Sequence, residues 1–154
     1  VKAPGRCELS VFATDPETGV LVKCRFDKLL DAKLAIDVKK TQDLRDFGKS
    51  VANYEYHMQA AFYTDVWKWA TGEDLDGFMF AAVEEQMPHA SAMITLDDEA
   101  LDIGRMEYRK ALNTYAECFE RDEWNGIYQE LAPVQLPSWY INQFENESEV
   151  KFDE

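Results

Sequence analysis

The chain has 154 residues, 46% of them hydrophobic and 13% aromatic, and a formal charge of −14. That is the length of one domain, able to bury roughly two-thirds of its unfolded surface, and it is too apolar for a disordered acidic tail. No apolar run approaches the roughly 20 residues of a membrane span. The acidity argues against nucleic-acid binding unless the bases gather on one face or bound cations offset the acids.

Residues 9–14 (Leu-Ser-Val-Phe-Ala-Thr) are β-branched and aromatic, and Asp15-Pro16-Glu17-Thr18-Gly19 follows with turn chemistry, so a hairpin leads into a second strand over 20–26 that ends on Asp27. After Asp31-Ala32-Lys33, residues 34–38 form a third strand. The period then changes from two to 3.6. Phe47, Val51, Tyr54, Met58, Ala61, Phe62, Val66 and Trp69 recur at spacings of three and four and Gly72 offers a stop, which predicts one helix over 46–71. Residues 78–83 read as a central strand and 90–96 as one more.

A long helix opens near Asp97, with Leu101, Gly104, Tyr108, Ala111, Leu112, Tyr115 and Phe119 on a stripe expected to pack across the sheet as core. From Asp122 the prolines Pro133 and Pro137 and the anchors Trp124, Tyr128, Trp139 and Tyr140 suggest an irregular arm packed on the body or on a neighbouring subunit. The domain is expected to span 1–144, and the acidic 145–154 to be a flexible tail. Three strands, helix, two strands, helix and arm make a mixed α/β fold with a crossover after the third strand. Cys7, Cys24 and Cys118 fit buried thiols of a reducing cytoplasm rather than a disulfide or zinc framework. The opening Val-Lys-Ala-Pro-Gly suggests a piece of a longer polypeptide.

The chemistry concentrates in the second and third strands. Side chains alternate along a strand, so Asp37 and Lys39 lie on one face, roughly 6 to 7 Å apart at about 3.3 Å per residue. If the strands are neighbours, Asp27 and Asp37 converge with a lysine beside them. Asp27, Asp37 and the main-chain carbonyl of Val38 suit Mg²⁺, which takes hard oxygen ligands and keeps several waters. Such a site serves phosphodiester hydrolysis, with Lys39 orienting the water, helping to deprotonate it, or stabilising developing charge. Gln59 and Tyr63, at i and i+4, are neighbours on the crossover helix. His57, about 200° from Gln59 around a helix, is expected to be structural, as is His89 in a loop, and Glu8 to be an ordinary exposed acid.

In this order and spacing the residues resemble the RecB-type nucleases of the PD-(D/E)xK superfamily, most closely the exonuclease VIII (RecE) group of phage recombination exonucleases. The resemblance runs from about Glu8 to Trp139, through Cys24-Arg25-Phe26-Asp27, Ile36-Asp37-Val38-Lys39, the stretch from Tyr54 to Tyr63, and Leu136-Pro137-Ser138-Trp139. It implies a restriction-endonuclease-like core with a mixed sheet flanked by helices. Asp27 is then the first acid, Asp37 the second, Lys39 the motif lysine, and Gln59 and Tyr63 the Gln-x-x-x-Tyr signature. The implied activity is Mg²⁺-dependent digestion of linear double-stranded DNA, 5′ to 3′, with Mn²⁺ able to substitute, by a cytoplasmic ring-shaped homo-oligomer working with a single-strand annealing protein. Phe26 and Lys40 stand where the family has proline and threonine, and the family's upstream helix with its histidine is not within this chain. The alternatives are an impaired nuclease fold used for oligomerisation or partner binding, and a related endonuclease.

Overall fold

The computed structural model describes residues 3–126 and 133–149, with side chains in the last helix described to Phe144. The chain forms two compact units, residues 1–121 and 122–154. The first holds β1 (Gly5–Thr14), β2 (Leu21–Leu30), β3 (Leu34–Thr41), a 3-10 turn (Leu44–Asp46), α1 (Phe47–Asn53), α2 (Tyr56–Thr71), β4 (Gly77–Glu84), β5 (Ser91–Ile94) and α3 (Asp98–Arg121). The strands form one sheet in the order β1-β2-β3-β4-β5. Only β3 and β4 are parallel, joined by the crossover through α1 and α2. This is the mixed α/β architecture of a PD-(D/E)xK core.

The hairpin turn owes its shape to Asp15, which is fully buried and accepts from the amide and hydroxyl of Thr18. Gly19 supplies the positive φ of 72° that closes the turn. Arg109 of α3 then grips Asp15 with two nitrogens, at 2.7 and 2.9 Å, tying the hairpin to the helix.

α2 lies over the sheet because Ala60 and Ala61, at 1% and 0% exposure, allow close approach. Phe26 is packed edge-on by Tyr63 and Trp67. Phe80 meets Phe47, Tyr56 and Phe78. Burying side chains of this size stabilises by about 1.5–3 kcal/mol each.

Three sequence expectations are corrected here. The single helix over 46–71 is two, broken where Glu55 adopts φ 55°, ψ 36°. Tyr54 is thereby turned off the apolar stripe and is 68% exposed. The long stripe on α3 does not pack across the sheet as core. α3 lies on α2, where Gly104 is so close to His57 that a Cβ would sit 2.4 Å from its carbonyl oxygen. Tyr108 is buried there, but Tyr115 and Phe119 stack on each other in solvent. Cys24 is buried, which pushes its thiol up to about 12, whereas Cys7 is exposed.

In the second unit α4 (Ser138–Glu149) replaces part of the expected irregular arm and runs into the stretch expected as a tail. Pro137 stands just before it and accepts from Tyr140 N–H at 2.9 Å, a position where proline's missing donor does no harm. Tyr128 and residues 150–154 lie outside the described residues. Among the described residues no helix is long and apolar enough to cross a membrane.

Candidate active site

The site forms where the β2–β3 ladder stops. Lys28 faces Ile36 and Leu29 faces Ala35, and the next facing positions, Asp27 and Asp37, make no backbone pair. Instead, Asp27 Oδ2 accepts the Val38 N–H at 2.8 Å, a side chain standing in for a ladder carbonyl. Alternation in β2 changes phase at the same place, since Val22, Cys24 and Phe26 are buried, then Leu29. Glu8, opposite Asp27 on β1, has φ 51° and is skipped in the β1–β2 register. The local break lets Phe26 enter the core while the adjacent Asp27 meets β3. On its other side β3 is held without interruption by β4, from Leu34 against Gly77 to Thr41 against Glu84.

Asp37 is 5% exposed. Its Oδ1 accepts from Gln59 Nε2 at 2.6 Å, and Gln59 Oε1 accepts from Lys39 Nζ at 2.8 Å. Lys39 Nζ also lies 2.8 Å from Asp37 Oδ2. That oxygen is buried and has no aligned hydrogen bond, so its contact with the lysine is an ion pair without directional donation. Gln59 thus closes a triangle between the acid and the base. Tyr63, one turn further along α2, sits on Phe26 with its hydroxyl near Gln59 and the main chain of Arg25. Burial raises the Tyr63 hydroxyl above its ordinary range, while the contacts with Arg25 and Gln59 act in the opposite direction.

Asp27, Asp37, Lys39, Gln59 and Tyr63 are therefore gathered where β2 and β3 part, under α2. The histidines are elsewhere. His57 is buried between the Val51 carbonyl (3.3 Å) and Glu107 (2.7 Å), bridging α1, α2 and α3. His89 lies 3.2 Å from the Glu84 carbonyl. Glu8 is exposed and pairs with Arg25 at 3.1 Å.

One residue the sequence reasoning passed over is Tyr56, whose ring centroid is 4.3 Å from Lys39 Nζ, with Phe80 at 5.9 Å. Its i, i+3 relation to Gln59 was the available signal. Among the described residues no group of three or more His, Cys, Asp and Glu side chains is arranged to hold a metal. Two carboxylates and main-chain oxygen remain a suitable donor set for Mg²⁺, which keeps much of its water. Asp37 Oδ2 is buried without an aligned donor, and the Lys39 ammonium at 2.8 Å already sets a positive charge beside it.

An antiparallel pair opening on two aspartates, a lysine two residues after the second, and a parallel crossover whose helix bears Gln59 and Tyr63 define a PD-(D/E)xK-type domain. More particularly, the chain belongs to the family described as "PDDEXK-like domain of unknown function (DUF3799)", which matches residues 3–130. The crystal structure of a protein from Eubacterium rectale named "Putative exonuclease" is similar, with a TM-score of 0.66 and 17% identity. The match covers 90% of this chain and 56% of that one, and at this identity it shows the fold alone. The crystal structure of SSO0001 matches more weakly, with a TM-score of 0.42 and 15% identity over 70% of this chain and 50% of the other. No curated protein matches.

Proposed function

We propose that this chain is a metal-dependent deoxyribonuclease that hydrolyses linear double-stranded DNA from its ends. The observation that carries the reading is Asp27 bonded to the Val38 N–H next to Asp37 where the ladder stops, with Lys39 2.8 Å from Asp37 and Gln59 bonded to Asp37 and Lys39. Asp27, Asp37 and the Val38 carbonyl would hold Mg²⁺, or Mn²⁺ in its place, which when bound supplies charge for the non-bridging phosphate oxygens and acidifies a water.

The protein's own groups do the positioning. Gln59 and the Tyr56 ring fix the Lys39 ammonium, which faces the phosphate region and either orients the attacking water or stabilises the charge that develops. Gln59 Nε2 locks the Asp37 carboxylate in one orientation, and Tyr63 supports Gln59 from below. The net charge of −14 is not a bar at the site itself. Lys40 and Lys49, which line one cleft with Tyr54, are in exposed pairs with Glu85 and Asp46, and such pairs are worth only about 0–1 kcal/mol. Phosphates can replace those acids at little cost.

From the resemblance to the RecE group follow the finer parts of the proposal: 5′ to 3′ polarity, a ring-shaped homo-oligomer around DNA, and an annealing protein that receives the exposed strand. The test is digestion of end-labelled linear duplex with Mg²⁺, with a closed circle of the same sequence as comparison. Wild type should degrade the linear form and spare the circle, and Lys39→Ala should be about 10²–10⁴-fold slower. Folding is checked by circular dichroism at low temperature, because Asp37 loses its ion partner. Unchanged digestion by Lys39→Ala would sink the assignment. Cutting of the circle would make the protein an endonuclease, and a folded wild type inert with Mg²⁺ and Mn²⁺ would favour a binding module.

A further inference from the structure

The break between α1 and α2 has an odd result. A helix continued through residues 54 and 55 would keep Tyr54 on the buried stripe with Val51 and Met58. Glu55 instead takes a left-handed conformation that non-glycine residues rarely adopt, and Tyr54 is put into solvent, 68% exposed. Its ring is not adrift there. It stacks on Tyr56, with centroids 5.6 Å apart and planes at 27°, and Tyr56 in turn covers the Lys39 ammonium at 4.3 Å. An aromatic column thus runs from the site lysine to an open ring face.

Beside Tyr54 lies a cleft of about 300 Å³ lined by Gln42, Ser50 and Asn53 and by two lysines and three acids, all of them ion-paired. A flat ring face bordered by hydrogen-bonding groups and by the exposed Lys40 and Lys49 suits a nucleotide, whose phosphates can draw the lysines from their acids at little cost. A base needs a π-face, and its edge and sugar need hydrogen bonds. Stacking is also indifferent to sequence, because every base has a π-face, and that suits an enzyme that must travel through any sequence.

We infer that the outer face of Tyr54 is a stacking platform for an unpaired nucleobase of the strand whose phosphate lies at Asp27, Asp37 and Lys39. The inference rests on the nuclease reading and deepens it: the protein takes a frayed or tailed end, holding one base out of the duplex beside the scissile phosphate. Tyr54 is a positioning residue, and Gln42, Ser50 and Asn53 contact the sugar or base edge.

The experiment uses a duplex with a short single-stranded tail carrying 2-aminopurine at successive positions. Initial rates give KM and kcat, and a phosphorothioate tail allows binding to be followed by fluorescence quenching. Tyr54→Ala should raise KM about 10-fold, within the range of about 5–150-fold that loss of one stacked base produces, with kcat little changed. It should also abolish quenching at one tail position. Tyr54→Phe and Tyr54→Trp should restore both, since the ring face and not the hydroxyl is used. The thermal midpoint of Tyr54→Ala shows whether the exposed site was altered without unfolding.

Wild-type KM and quenching in Tyr54→Ala, or a Tyr54→Phe as impaired as Tyr54→Ala, would overturn the stacking role while leaving the nuclease reading intact. A folded wild type that neither digests nor binds the tailed duplex would overturn both.

Discussion

Gln59 offers a quantitative test of the site. Its amide donates to a buried carboxylate at 2.6 Å and accepts from an ammonium at 2.8 Å, so both bonds have a charged partner. In Gln59→Leu the volume is nearly kept and both bonds are lost. Hydrogen bonds to charged groups contribute about 1.5–3 kcal/mol each. The two losses are unequal, because Lys39 keeps Asp37 and the Tyr56 ring, whereas Asp37 Oδ1 loses its amide donor. A net loss of about 2–3 kcal/mol follows, and at about 2–4 °C per kcal/mol for a chain of this size the melting temperature should fall by about 4–12 °C.

The assay is urea unfolding at pH 7 with a chelator present, where the midpoint falls and the slope is kept. Gln59→Glu should be at least as damaging, because it sets a second carboxylate against Asp37 in place of a donor. In the nuclease assay, misplacement of Lys39 should lower kcat about 10²-fold. A Gln59→Leu protein as stable as wild type would mean that the triangle of Asp37, Lys39 and Gln59 does not form in solution.

Two further predictions concern the frame that carries the site. Gly104→Ala would place a methyl 2.4 Å from the His57 carbonyl, so α2 and α3 must separate; overpacking costs about 1–3 kcal/mol or more, against about 1 kcal/mol gained in helix propensity, and a lowered urea midpoint is expected. Asp15 is buried, which raises its carboxyl, but the bonds from Arg109 and Thr18 prevail and hold it at about 2. A depressed carboxylate stabilises above its unfolded pKa, and the effect, about 2–3 kcal/mol, is lost as pH falls from about 4 through about 2. Asp15→Asn should therefore be less stable at pH 7 and show a flatter acid limb in urea midpoints between pH 4 and 2; an acid limb as steep as wild type's would refute this.

The parts of the structure visible in the sequence are those with local periodicity. The hairpin around Asp15 and Gly19, the β3–β4 crossover and the adjacency of β2 and β3 that brings Asp27 to the main chain beside Asp37 follow from strand alternation and turn residues. The break at Glu55 was hidden because neither glycine nor proline marks it, and the apolar spacing from Phe47 to Trp69 continues through it. The support of Lys39 by Tyr56 was lost with that break. On α3 the stripe is real, but its surface is divided between α2 and solvent, a choice made by the close contact at Gly104 and not by the pattern. The Asp15–Arg109 pair joins residues 94 apart, and no local rule reports it. In α4, Pro137 was read as a disruptor of structure when it marks a helix start.

The proposed activity requires that the carboxylates ending the β2–β3 ladder form a working cation site. Calorimetric titration with Mn²⁺ of the wild type and of Asp37→Asn, both purified with chelator, tests it most directly. Saturable binding by the wild type and its loss in the folded variant are expected. Equal binding by the two proteins, or no binding by the wild type, would contradict it.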